Sequence, residues 1–192
     1  MTARSDLCDK AVDYFASHGI GDTSLRTLAA AIGTSHRMLN YHFGSREGLL
    51  AAVVEAVERG EQAALLDIAA RGEADAGWQF WTRLADRAQT FAPLFFEIST
   101  HAMRHQPHAT GLRSWLSSGW VAEFESILID SGVPRAQAPL LAHLCVATAR
   151  GVLFELAVSG DRALADEQML LLTQMVDALR DATPGAAAAS SR

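Results

Sequence analysis

Cysteine is scarce: two residues in 192, Cys8 and Cys145, far apart and in no CxxC pair. That excludes a disulfide framework and a thiolate metal knuckle, and both thiols read as reduced and buried, as in a cytoplasmic protein. Long apolar runs are missing as well. The longest uncharged apolar stretch, residues 136–149, contains Pro139 and lies between Arg135 and Arg150, whereas a spanning helix needs about 20 residues. No membrane span is expected. The first 20 residues carry three aspartates and no apolar centre, so they do not read as a secretory signal. Common enzyme motifs are absent too: there is no HExxH, no nucleophile elbow and no glycine-rich phosphate loop. No catalytic residue and no cofactor are expected. His101, His105 and His108 come nearest to a metal set, with the first two at i, i+4. No cysteine or neighbouring carboxylate completes it and Pro107 interrupts it, so no metal is expected.

What is there describes an ordered chain. Apolar residues make up 49% and charged residues 20%, the reverse of disordered sequences with their low hydropathy and high net charge. The length suits one domain with room for a small second module, and a core that needs no staples. A formal net charge of −6 counts against nucleic acid until it is split. Residues 1–50 balance five cations against five acids, so the whole acidic excess lies beyond them. Within 24–46 stand Arg26, Arg37, Arg46, His36 and His42 without a single acid. A local patch of that size is enough for a small reader of DNA.

Helical apolar stripes run through nearly the whole sequence, and no stretch alternates long enough for a strand. Leu7, Ala11, Tyr14 and Phe15 mark a first helix closed by Gly19 and Gly21. Leu25, Leu28, Ala29 and Ile32 mark a second, entered by Thr23 or Ser24 and ended by Gly33. A short third runs from Thr34 or Ser35 to about Phe43, and Gly44-Ser45 opens a long fourth. Residues 69–77 read as a connection between modules. All four tryptophans lie beyond it, on helices expected at 78–92, 93–105, 110–131, 134–159 and 162–182, with Pro93 at a first helical position. The last nine residues, PGAAAASSR, read as a disordered tail.

Residues 23–43 are the informative part. Leu25, Leu28, Ala29, Ile32 and Leu39 can pack two short helices at a steep angle, with Gly33 supplying the positive backbone angle of a tight turn. Ser35, Leu39 and Phe43 repeat at i, i+4, i+8 and should face inward. His36, Arg37, Asn40 and Tyr41 then project outward, all able to bond base edges or phosphates. This is the layout of a helix-turn-helix whose second helix enters a major groove. Arg37 suits a bidentate guanine contact, with a phosphate the alternative. Arg26 either grips the DNA backbone or is a solvated charge.

Three stretches, Thr23-Ser24-Leu25-Arg26-Thr27-Leu28-Ala29, Ile32-Gly33-Thr34-Ser35 and the run from Leu39 to Leu50 (LNYHFGSREGLL), resemble the DNA-binding module of TetR-family transcriptional regulators. The likeness covers roughly residues 5–55. It departs at Asn40, where the family usually has tyrosine; Tyr41 follows, rotated by about 100° around the helix, and takes either that tyrosine's phosphate contact or a base edge. Arg46 replaces the usual lysine and can neutralise a phosphate, aided by a helix N-terminus. His42 donates to a phosphate, as the resemblance implies, or satisfies a turn carbonyl. With Arg26, Thr34, Ser35, His36, Arg37, Asn40 and Tyr41 these form the expected DNA-contacting set. The resemblance implies an all-α protein. Residues 1–48 would form an N-terminal three-helix helix-turn-helix domain, linked by the fourth helix to a C-terminal helical ligand-binding and dimerisation domain over 49–183, before a tail at 184–192. It implies a homodimer that binds a palindromic double-stranded DNA operator, expected to repress and to be released by a small apolar effector. An activator of the same family, and an all-helical small-molecule-binding protein or enzyme without DNA function, are the alternatives.

The second half offers two further features. Trp81, Phe95, Phe96, Met103, Trp115, Trp120 and Phe154, with His101 as a polar anchor, are candidates to line an apolar pocket; filling a core is their other use. No lysine or arginine occurs in 88–103, which favours an uncharged or cationic ligand over a polyanion. The last two long helices, carrying Leu140, Leu144, Thr148 and Leu156 and then Leu172, Met175 and Leu179, are apolar over much of their circumference. They need burial on more than one side, which a second copy would supply as a four-helix interface across a two-fold axis.

Overall fold

The computed structural model describes residues 2–19, 23–72 and 76–181, without the side chains of residues 114, 115, 117 and 118. Gly21 and the tail at 184–192 lie outside the described residues. Ten helices and one 3-10 turn follow one another, with no strand among the described residues: α1 (Ala3–His18), α2 (Leu25–Ala31), α3 (His36–Phe43), α4 (Arg46–Ala70), α5 (Ala76–Asp86), α6 (Ala88–Met103), the 3-10 turn Pro107–Ala109, α7 (Thr110–Ser118), α8 (Val121–Asp130), α9 (Ala138–Ser159) and α10 (Arg162–Asp181). The fold is all-α, as the periodicity implies.

Two compact units divide the chain: Met1–Ala64 with Arg87–Ser117, and Leu65–Asp86 with Ser118–Arg192. Residue 48 falls inside the first of these units, where the first three helices share their core with later ones. Leu7, Phe15, Leu28, Leu39 and Phe43 share one apolar cluster with Leu50 and Val54 of α4, Leu94 and Ile98 of α6, and Leu112 of α7. In the second unit, Leu128 of α8, Val133, and Leu141, Ala142 and Cys145 of α9 form a cluster onto which Leu172 and Val176 of α10 pack.

Three helix boundaries differ from the sequence pattern. Arg87 breaks the chain between α5 and α6, so Pro93 sits inside α6 rather than at its start. There its ring removes one amide from the helical ladder, a loss that a helix with buried Ala92, Leu94, Phe95 and Ile98 can absorb. The expected single helix over 110–131 is two, separated at Gly119-Trp120. The helix expected from 134 starts at Ala138, since residues 134–137 form a turn in which Pro134 O accepts from Gln137 N at 2.8 Å. As expected for a helix reaching 159, α9 passes through Arg150 without a break. Its 22 residues, with mean hydropathy of 1.6 in the most apolar window, are long and apolar enough to cross a membrane by length and composition, with a third of that window buried within the protein.

Candidate nucleic-acid interface

Short-range chemistry builds the two helices of the reading unit. Ser24 Oγ accepts from Thr27 N at 3.1 Å and caps α2; Ser35 Oγ accepts from Met38 N at 3.1 Å and caps α3. Each side-chain oxygen satisfies an amide that has no partner inside its helix. Between them Gly33 adopts φ +71°, a conformation that costs a side chain dearly, and Thr34 N donates back to Ala29 O at 2.9 Å. Gly44 ends α3 in the same region at φ +76°. Ser45 Oγ then accepts from Gly48 N at 3.0 Å, starting α4. Glu47, beside it, has its carboxyl held below the usual value, chiefly by a hydrogen bond from its own backbone amide and further by Ser45 and Arg46.

Leu28, Ala29, Leu39 and Phe43 are buried, and His36, Arg37, Asn40 and Tyr41 are exposed. Tyr41 is 80% exposed, and its ring stands nearly perpendicular to that of His42 at 5.0 Å between centres. Arg26 is exposed on α2 and Thr34 half-buried in the turn. Ser35 was expected to face inward; it is exposed, because a cap residue stands outside the helix that it closes. His42 is half-buried and its Nε2, shielded from solvent, has no hydrogen-bond partner among the described residues, so that atom satisfies no turn carbonyl. The His42 carbonyl accepts from Arg4 Nε at 3.3 Å, and the Arg4 guanidinium lies 5.2 Å from the centre of the Phe43 ring. Arg4 thus clamps the last turn of α3, placing a cation at its negative end. Sequence reading missed it, since the pairing spans 38 residues.

Residues 7–53 match the family model described as bacterial regulatory proteins, tetR family. Its span takes in both capped helices, the glycine turn and the start of α4. Over residues 7–53 the chain is similar to the DNA-binding part of the tetR family. Over 69 residues it is 38% identical to an HTH-type transcriptional regulatory protein, RaaS, of Mycobacterium tuberculosis; the match covers 34% of this chain and about a third, 32%, of that relative. The whole fold resembles a transcriptional regulator from Rhodococcus sp. Rha1 (TM-score 0.70, 21% identity, 95% of this chain and 100% of that one). It also resembles the tetR-family repressor FadR of Thermus thermophilus, solved in complex with lauroyl-CoA (TM-score 0.66, 13% identity, 92% and 94% covered).

Against that tetR-family frame two sets of expected residues fall differently. Arg46, expected on a phosphate, is engaged internally: Nε donates to Thr23 O at 3.1 Å and Nη1 lies 3.7 Å from Glu97 on α6. Fifty-one residues separate it from that carboxylate, which the local motif could not show. Arg46→Ala is therefore expected to cost about 1–2 kcal/mol of stability in urea unfolding and to leave the salt dependence of DNA binding unchanged. A slope lower by about one would place the guanidinium on the DNA backbone instead.

Phe95, Phe96, His101 and Met103 belong to the first unit, and Trp81, Trp120 and Phe154 to the second. Met103 is 70% exposed and Phe154 half exposed, because each sits on the outer side of its helix. His101 Nδ1 instead lies 2.9 Å from His108 Nε2. Phe80 and Phe124 pack around Trp120 at 5.6 and 6.2 Å between ring centres. The Trp115 side chain lies outside the described residues. Among the described residues no group of three or more His, Cys, Asp or Glu could hold a metal ion. A cavity of about 440 Å3 opens elsewhere, between α9 and α10, lined by Leu144, Thr148, Gly151, Val152, Glu155, Gln168, Leu171, Leu172 and Met175. The sequence reading also missed two buried carboxylates on α4, Glu58 and Glu61; Glu61 pairs with Arg87.

Proposed function

We propose that this chain is a DNA-binding transcriptional repressor, acting in the cytoplasm as a homodimer on a palindromic operator and released by a small apolar effector. The observation that carries it is the outward face of α3, where His36, Arg37, Asn40 and Tyr41 are all exposed within a stretch, 24–46, that holds no acid. Two such helices related by a two-fold axis would enter successive major grooves about 34–36 Å apart. Arg37 reads a base edge; Arg26, Thr34 and Ser35 hold the phosphates beside it. Ser35 Oγ accepts from Met38 N, and its hydroxyl proton can still be donated outward. Residues 1–48 carry this reading function, and 49–183 carry dimerisation and effector response. An effector loosens DNA only by its preference for a conformer with the wrong spacing between the two helices.

Selection of bound fragments from a random DNA library with the purified chain tests the reading. A palindromic consensus with salt-dependent affinity is the expected result, and no complex with any duplex at low salt would overturn it. With that consensus in hand, Arg37→Ala is expected to weaken binding by about 1–3 kcal/mol and to relax preference at one position per half-site. Equal loss on every sequence would move Arg37 to a phosphate.

A further inference from the structure

We propose that Met38 reads a thymine in the operator, its thioether and terminal methyl packing against the 5-methyl group of the base. The inference rests on the DNA-binding reading above and adds a residue to it. Large apolar side chains are well hidden in the first unit: among its described residues, Met38, Tyr41 and Met103 are the exposed ones. Two of these three are i, i+3 neighbours on one face of α3. Met38 is 41% exposed, while Leu39 and Phe43 of the same helix fill the core, so packing within the protein does not account for it. Its position is fixed, because Met38 N is the amide held by Ser35 Oγ. The first turn of a recognition helix is the part that reaches base edges.

The surroundings choose the partner. His36 and Arg37 directly precede Met38 in an acid-free stretch, which suits a polyanion. In a major groove lined by donors and acceptors, the thymine methyl is the apolar group on offer. A methionine, unbranched and polarizable, adapts to such a contact, and the Tyr41 ring one turn on extends the same apolar wall.

The test uses the full chain and a duplex recovered by selection from random DNA, with each thymine replaced in turn by deoxyuracil, which lacks only the 5-methyl. One thymine per half-site is expected at which uracil weakens binding about fourfold, the worth of one buried methyl-sized group. Met38→Ala is expected to bind the parent duplex about fourfold more weakly and to show no further loss with uracil there; Met38→Leu is expected to keep the penalty. Salt-dependent binding with no uracil-sensitive thymine, or a penalty unchanged in Met38→Ala, overturns the role of Met38 and leaves the functional reading standing. Failure to bind any duplex overturns both.

Discussion

Glutamate in place of Leu171 is expected to leave each protomer folded and to abolish operator binding at concentrations that saturate the parent protein. On α9, Leu140, Leu144, Gly151 and Val158 recur at helical spacing, and on α10 Leu164, Leu171, Met175 and Leu179 do the same. The five leucines, the valine and the methionine among them are all exposed in the protomer. Such a double stripe has the width of a four-helix interface, with each copy giving two helices across a two-fold axis. Leu171 is 57% exposed and lines the cavity between α9 and α10, so the substitution deletes little from the protomer core. In an apolar interface an unpaired carboxylate costs several kcal/mol, and symmetry places it twice. About 4 kcal/mol weakens association roughly a thousandfold. Light scattering after size exclusion, followed by mobility shift, reads both consequences. A Leu171→Glu protein that stays dimeric puts the interface elsewhere; a monomer that still binds the palindrome with parental affinity removes the need for pairing.

What could be read from the residues is what short-range chemistry decides. Ser24, Ser35 and Gly33 act within four residues of themselves, and the caps and turn of α2 and α3 lie where those residues put them. The buried and exposed sides of α3 follow from one apolar repeat. Boundaries set by competing local signals were less legible: apolar spacing carries a helix across 110–131, while Ser117-Ser118-Gly119 marks the place where the chain stops it. Pro93 is favoured at a first helical turn as a tendency, and packing of the residues around it outweighs that tendency. Arg46 shows the limit most clearly. Its motif position suggests a phosphate, and its partner is Glu97, on a helix about fifty residues away. The aromatic residues of the second half meet the same limit. Aromatic type tells that a side chain seeks an apolar neighbour, but which unit supplies the neighbour is a tertiary fact.

Alanine at Trp81 is expected to cost about 3–5 kcal/mol, since the indole is 1% exposed and its loss leaves a large void in the second unit. The polar end of that ring allows a finer test. Trp81 Nε1 donates to Asp166 Oδ1 at 2.6 Å, and the same oxygen accepts from Arg162 Nε at 2.8 Å, while Arg162 Nη1 reaches Asp86 at 2.7 Å. Asp166→Ala strands the buried indole N–H and is expected to cost about 1–3 kcal/mol. Burial raises the Asp166 carboxyl, but hydrogen bonds from Arg162 and Trp81 and the charge of Arg162 outweigh it and hold the group below the usual carboxylate range. A depressed native value means that the ionised form stabilises the fold. That contribution is complete above an ordinary aspartate pKa of about 3.9 and is lost as pH falls through the lower native value. Urea unfolding followed by tryptophan fluorescence should therefore show the gap between the parent chain and Asp166→Ala narrowing on acidification below about pH 4. A gap that stays constant to pH 2 would show that the carboxylate charge does not hold Trp81 in place.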